Sequence, residues 1–478
     1  MLYYQTVIDM TEEALKRQLI LKDPNIYKGL IILALPIMLN NLLKTLHDVV
    51  DMFFVARIPG VSAEAVSAIQ ITFPVMFTYL SLGLGISVAG TALISQLLGA
   101  NKLDDAHRFA GQVFTLAVTL GLFLSVLSYL IAPSIVSAMG ATGFVFENSV
   151  AYLRIRAFEL PYLFMFFALM ATRNASGDTV SPMKISVTSV ILNTLLSPLF
   201  IIVFGWGVPG AALATLMGYL IVMPWAIKRL FFAPDGVRIL PKYLSLNPLI
   251  SIKIIKTAVP ASMGQAITAI GFGLMNGIIF SYGVNTVAAF GIGNRITSMI
   301  LHPAMAIGGV MSAFIGQNIG ARNPERAKLV FKKALILSSG TMAIGSLIVL
   351  FIREPLISLF IQDNPEALAL SVDYMFYILI GLPLMGVFQA FMGTYNGTGY
   401  THYSFVLSVL RLWGLRIPLV LLMNRFTTLG SSGIWYAILI SNLIIAVVGY
   451  GLYKRISFEP KVDVEPRIPV QTVLKPSS

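Results

Sequence analysis

Cysteine is absent from this 478-residue chain, so neither disulfides nor thiolate chemistry is available to it. Charge is scarce too: Asp, Glu, Lys and Arg make up 11% of the residues, against about 25% in soluble globular proteins. Histidines occur only at 47, 107, 302 and 402, none spaced from another as metal ligands are, so no metal site is read. No GxxxxGK[ST] loop is present, which excludes direct driving by ATP through a P-loop. No nucleophile-and-base constellation marks an enzyme, so no catalytic residue and no cofactor are assigned. The first 29 residues hold Glu12, Glu13, Lys16, Arg17, Lys22, Asp23 and Lys28 without a continuous apolar core, and are not expected to be a cleavable signal peptide.

What the chain has instead is long apolar runs: 57% of it is hydrophobic. Runs of about 20 residues recur along nearly the whole length, as helical membrane spans require and the alternating strands of a membrane barrel do not. The reading is an all-α integral membrane protein of twelve spans, near 30–55, 66–98, 109–133, 149–172, 182–204, 208–227, 252–281, 287–319, 329–352, 368–394, 402–424 and 433–453. The long polar connection after the sixth divides the chain. Expected units are an N-terminal segment 1–29, a six-helix lobe 30–228, a linker 229–250, a second six-helix lobe 251–454 and a tail 455–478.

A net charge of +12 would suggest nucleic acid in a soluble protein, but here its placement gives orientation. Most Lys and Arg lie in the N-terminal segment, in the connections after spans 2, 4, 6 and 8, and in the tail. By the positive-inside rule both termini are expected to be cytoplasmic, in a cytoplasmic (inner) cell membrane, with the lipid bilayer and not nucleic acid as the partner.

The halves repeat. At an offset of 221 residues Gln96 falls on Gln317 and Gly99-Ala100 on Gly320-Ala321, so ISQLLGANKLDDA matches IGQNIGARNPERA. At 222, Leu160-Pro161 falls on Leu382-Pro383 and Gly177 on Gly399. Six spans per half make these parallel repeats about an axis along the membrane normal, enclosing a central cavity suited to alternating access. Such a cavity lets a monomer suffice.

The first span, LIILALPIMLNNLLKTLHDVVDMFFV, carries the polar stripe on which a function can rest. Asn41, Lys44, Asp48 and Asp51, spaced 3, 4 and 3 apart, fall on one face of a helix turning about 100° per residue. An ionised carboxylate facing lipid is costly, so the stripe must face water or the bundle interior. Lys44 and Asp48 can be a structural pair or part of an ion path. Asp51 has no sequence-local partner left over and is read as functional. If Asp48 and Asp51 lie close, they titrate as a unit, opposed by Lys44. Elsewhere, Glu159 is read as a structural partner of Arg154 or Arg156 rather than a coupling acid. Arg411 and Arg416 in span 11 either pair internally or snorkel, or line the C-terminal half of the cavity and receive an anionic group. Asn40, Asn41, Gln70, Gln265, Asn276, Asn294 and Gln317 can contact substrate or bind helices together. Pro36 permits a bend in span 1.

The order LPIMLNNLLKTLHDVVDMFFVARI, RNASGDTVSPMK, ILNTLLSPLFIIVFGWGVPGAALAT and IGQNIGARNPERA, over about residues 25–455, resembles the multidrug and toxic compound extrusion (MATE) transporters, nearest their prokaryotic DinF-like branch. The resemblance implies an antiporter that expels cationic or amphipathic small organic compounds in exchange for protons or sodium. It implies that Asp51 is the coupling carboxylate, with His47 where a tyrosine often stands, and that Asn193 and Thr215 belong to the ion site; Asp48 departs from the asparagine common in the family and is added to that site as a second titratable group. Ser197 takes the place of the family's second acid. One carboxylate fewer weakens sodium binding, since hard cations want several oxygen ligands and charge, and favours protons. Asn41, His47, Gln70, Gln265 and Asn276 are the expected substrate contacts. The second-half site of the NorM-like branch is not carried over: span 7 has no acid, and Asp373 does not match the family position. The rival reading is a flippase for a lipid-linked oligosaccharide or other anionic lipid, suggested by Lys44, Arg295, Arg411 and Arg416. A non-transporting scaffold would not require buried charge on span 1.

Overall fold

A computed structural model describes residues 12–233, 236–361 and 364–463, without the side chains of residues 12–14, 46, 48 and 49. Among the described residues eleven helices are long and apolar enough to cross a bilayer, and a bent pair supplies a twelfth. Span 1 is Ile26–Val55, span 2 Ser62–Gly99, span 3 Leu103–Ala138, span 4 the pair Gly143–Ala157 and Leu160–Ala175, span 5 Val180–Val203 and span 6 Gly207–Phe231. The second half of the chain, called the second lobe below as the first half is called the first, comprises span 7 Pro248–Phe280, span 8 Val284–Gly320, span 9 Pro324–Ser358, span 10 Pro365–Gly397, span 11 Thr401–Phe426 and span 12 Ser432–Tyr453.

All twelve expected spans are present, and several begin earlier than hydropathy alone suggests. The reason is capping: the side chains of Asn25, Asn247, Asn323 and Asn364 accept backbone N–H groups in the first turns of spans 1, 7, 9 and 10. These bonds satisfy donors that would otherwise be orphaned at a helix start. Span 4 turns by 48° between its halves at Phe158 and Glu159, and Pro161 falls in the first turn of the second helix, where its missing N–H costs no helical bond. Span 1 runs through Pro36 without a break.

The repeat is written in the backbone as well as in the side chains. The turns after spans 2 and 8 place Asn101 at φ 61° and Arg322 at φ 55°, and those after spans 4 and 10 place Gly177 at φ 79° and Gly399 at φ 78°. Each pair ends its helix in the same left-handed residue. Lys102 N donates to Leu97 O and Asn323 N to Asn318 O, both at 2.9 Å, the six-to-one bond of a Schellman cap. Spans 3 and 9 also match in setting, with only 22% and 17% of their most apolar windows buried, as peripheral helices facing lipid should be.

The lobes meet where span 1 packs on span 8, span 2 on span 7, and spans 2 and 8 on each other. At the face bearing the described chain ends, two-fold-related hydrogen bonds join them: Gln96 Nε2 donates to Gly397 O at 3.2 Å, and Gln317 Nε2 donates to Ala175 O at 2.7 Å. Each glutamine is buried, and its partner carbonyl belongs to the opposite lobe. Gly99 and Gly320 permit this approach, because a Cβ at either would collide with the backbone carbonyl oxygen of Gln317 or Gln96 respectively. The helix Glu12–Leu21 lies over the junction. Lys16 pairs with Asp178 at 3.2 Å and Arg17 donates to Leu98 O at 2.8 Å on one lobe, while Asn318 and Arg326 of the other hold Ile20 O and Asp23 O. The tail completes the seal, Lys461 N donating to Gln96 Oε1 at 2.7 Å.

Two outcomes follow from this clasp. Gly99→Ala or Gly320→Ala should push the lobes apart at this face. With no native cysteine to remove, spin labels at Leu103→Cys and Glu325→Cys should report a longer or broader distance distribution, whereas an unchanged one would refute the close approach. Asp178 is pulled towards the charged form: burial opposes ionisation, but hydrogen bonds from Ser181 and the Lys16 charge outweigh it and set its pKa below the usual value. A carboxylate whose folded pKa is depressed stabilises the fold above its unfolded pKa and loses that contribution as pH falls through the folded value. Asp178→Asn at neutral pH should therefore speed amide exchange of residues 15–21 about tenfold, equivalent to about 1.4 kcal/mol, and acidification below about pH 4 should do the same to the wild type.

Candidate functional site

Span 1 divides its surface between the two lobes. Its first half buries Ile26, Leu30, Leu33 and Ala34 in an apolar cluster with Val310, Met311 and Phe314 of span 8. Its second half turns to spans 5 and 6 of its own lobe, and there the polar residues meet.

Ser197 Oγ donates to Asp51 Oδ1 at 2.8 Å and lies 3.2 Å from Asn193 Oδ1. Asn193 Nδ2 donates to Thr215 Oγ1 at 2.9 Å, and Thr215 in turn donates to Ala211 O at 3.2 Å. This chain fixes the Asn193 amide, because its nitrogen is spent on Thr215 and its oxygen must face Ser197. A serine hydroxyl carries one hydrogen, so Ser197 chooses between two acceptors. While Asp51 is ionised, the charge-assisted bond to it is the stronger. Once Asp51 takes a proton, it can donate to Ser197 and release the serine hydrogen to Asn193. Protonation of one carboxyl is thereby coupled to the bonding between spans 1, 5 and 6.

The expectation that Asp51 lacks a sequence-local partner is corrected. His47, one helical turn earlier, places Nε2 3.5 Å from Asp51 Oδ2. The His47 Nδ1 atom is buried without a hydrogen-bond partner. A titratable ring and a carboxyl are thus paired, with 13% and 23% of their side chains exposed, so both are mostly enclosed.

Sequence reasoning did not connect Arg156 to this place. Arg156 Nε lies 2.8 Å from Glu159 Oε2 at the bend of span 4, and Glu159 is buried. The field of Asp51 reaches Arg156, and that of Lys44 reaches Glu159. The available signal was Pro161, which marks the start of the second half of span 4. Glu159 sits in the ion pair expected of it. Lys44 is exposed. The Asp48 side chain lies outside the described residues, as therefore does the choice between its two readings.

Asn41 is half-buried, while Gln70, Gln265 and Asn276 are exposed on spans 2 and 7. Among the described residues no hydrogen bond links those three to the Asp51 group. Asp373 lies apart from it, accepting from Ser432 Oγ at 3.3 Å. Among the described residues no cluster of three or more His, Cys, Asp or Glu is arranged to hold a metal ion.

In Ser197→Ala the Asp51 carboxylate loses its hydroxyl donor. Hydrogen bonds to a charged group contribute about 1.5–3 kcal/mol, and about 1.4 kcal/mol corresponds to one pH unit. The external pH giving half-maximal transport in proteoliposomes should rise by about one unit or more, and an unmoved profile would show that Ser197 does not sense the Asp51 proton.

A family model described as MatE matches residues 36–199 and 260–422 of this chain. Among curated proteins, "Probable multidrug resistance protein YoeA" of Bacillus subtilis is 26% identical over 442 residues, covering 90% of this chain and 94% of that protein. A "FAD transporter" of Shewanella oneidensis is 26% identical, covering 89% and 93%. A solved structure described as the outward-facing conformation of a multidrug resistance MATE family transporter superposes with a TM-score of 0.85 at 24% identity, covering 94% of this chain and 98% of that one.

Proposed function

This chain belongs to the MatE family of multidrug efflux transporters, and we propose that within it the protein is a proton-coupled antiporter exporting amphipathic small organic compounds, with Asp51 as the coupling carboxylate. The observation that carries this reading is the Ser197 hydroxyl placed between Asp51 and Asn193. From the outside a proton reaches Asp51, by way of its neighbour His47. Neutral Asp51 then donates to Ser197, the bonding between spans 1 and 5 rearranges, and substrate leaves. Facing inward, Asp51 gives up the proton and the substrate site reforms.

The clasp of Gln96 and Gln317 closes the face that carries the basic connections. On the positive-inside rule we take that face as cytoplasmic and this conformation as outward-facing. The lobes 30–228 and 251–454 are the proposed moving bodies, joined by the linker 229–250. Gln70, Gln265 and Asn276 are proposed to face substrate in the cavity between them, and a monomer suffices for the cycle. Protons are preferred to sodium because serine at 197 leaves one carboxylate among the neutral oxygens of Ser197, Asn193 and Thr215. One charge moving through 100 mV supplies about 2.3 kcal/mol, and a pH gradient adds to it. The flippase reading has no comparable support, the relatives named above being a multidrug resistance protein and a FAD transporter.

Asp51→Asn keeps the shape and removes the charge change. Proton-driven efflux of a fluorescent substrate from proteoliposomes should fall at least 10-fold, with binding retained. Undiminished pH-driven efflux would remove Asp51 from the coupling step, and efflux that follows a sodium gradient at constant pH would overturn the choice of ion.

A further inference from the structure

Span 11 holds two arginines near its middle, both buried: Arg411 is 5% and Arg416 6% exposed. They sit in a π-helical stretch, Leu410–Arg416. In an ordinary helix, residues five apart point about 140° away from each other. A π-turn bonds residue i to i+5 and brings the two towards one side, a distortion frequent at functional sites.

Their partners are neutral. Arg416 donates through Nε to Ser441 Oγ at 3.2 Å and through Nη2 to Asn442 Oδ1 at 2.8 Å. Arg411 donates through Nη1 to the thioether sulfur of Met385 at 3.4 Å and lies 4.6 Å above the ring of Phe388. Its Nε is buried with no hydrogen-bond partner. Among the described residues no carboxylate lies within ion-pair distance of either arginine.

Guanidinium does not lose its proton in proteins, so this lobe carries two buried positive charges that cannot be neutralised by titration. A thioether is a weak acceptor, and a cation–π contact offsets only part of the desolvation. Both side chains are enclosed by protein near the midpoint of a span, too far from its ends to snorkel to the interface. What remains is a pair of planar donor forks with unused N–H groups, the geometry that takes a carboxylate or phosphate bidentately.

We propose that Arg411 and Arg416 form the second lobe's substrate subsite, and that it receives an anionic group, a carboxylate or phosphate, of an amphipathic substrate. The proposal rests on the reading of the chain as an exporter but not on the role of Asp51. The lobes then have opposite polarity: an acid that binds a proton in the first, and a fixed cationic pair that binds the substrate's anion in the second. Exchange of a proton for an anion-bearing compound leaves the coupling carboxylate free to change charge without competing for the substrate.

The test uses purified full-length protein in detergent with two fluorescent probes, carboxyfluorescein as the anionic dye and rhodamine 6G as the cationic one. Wild type should bind carboxyfluorescein in a manner weakened by inorganic phosphate. The ratio of carboxyfluorescein to rhodamine 6G affinity should fall at least 10-fold in Arg411→Gln and in Arg416→Gln. If the glutamine variants do not fold, Arg411→Lys, which keeps the charge and removes the fork, should lower the same ratio. Inorganic phosphate should also raise the wild-type melting temperature. A wild type that binds rhodamine 6G but not carboxyfluorescein, or a ratio unchanged in folded variants, overturns the proposal. Binding is measured without a gradient, so its failure is distinct from a failure of proton-driven export, which appears only in proteoliposomes.

Discussion

A carboxylate inside an apolar helix bundle must be bonded, wetted or neutral, and the rest of this structure is arranged around how Asp51 meets that requirement. Its acceptor oxygen is held by a hydroxyl with one hydrogen and two available acceptors, Asp51 and Asn193. The second acceptor is itself fixed through Thr215 on span 6. Three helices therefore share one proton's worth of bonding, and the carboxyl's charge decides where that hydrogen lies. An ion pair such as Arg156 with Glu159 lacks this property: its two charges sit 2.8 Å apart at the bend of span 4 and, among the described residues, have no third group to exchange a hydrogen with.

The local event at Asp51 can matter globally because span 1 belongs to both lobes. Its first half is buried against span 8, and the polar half faces spans 5 and 6. In the proposed cycle a rearrangement of the polar half would pass along one continuous helix to the inter-lobe surface. At the far end the lobes are held in register by a symmetric clasp of two glutamine side chains and two glycines admitting the opposite carbonyls, over which the helix Glu12–Leu21 and the tail add further bonds.

Much of the fold was legible in the sequence because a bilayer permits few solutions. Long apolar runs had to be helices, and the offsets of 221 and 222 residues located equivalent elements down to the left-handed residues Asn101 and Arg322. The grouping of Asn193, Ser197 and Thr215 near Asp51 followed from a resemblance rather than from periodicity. What escaped was geometry that hydropathy does not encode. His47 lies one turn from Asp51, yet its pairing depends on which way both side chains point. Arg156 and Glu159 pair at the bend of span 4, which a hydropathy run does not reveal. The π-turn that brings Arg411 and Arg416 towards one side is invisible to a rule of 3.6 residues per turn.

The central claim is that the Asp51 carboxyl changes protonation when substrate binds. Difference infrared spectroscopy of the protein in lipid, with and without substrate across a pH series, reads that change directly as a carbonyl band of a protonated carboxyl, assigned by its absence in the asparagine variant. The account predicts a band that is present before substrate arrives, disappears on binding, and is accompanied by release of about one proton per transporter. A band that stays constant while substrate binds and leaves would contradict it.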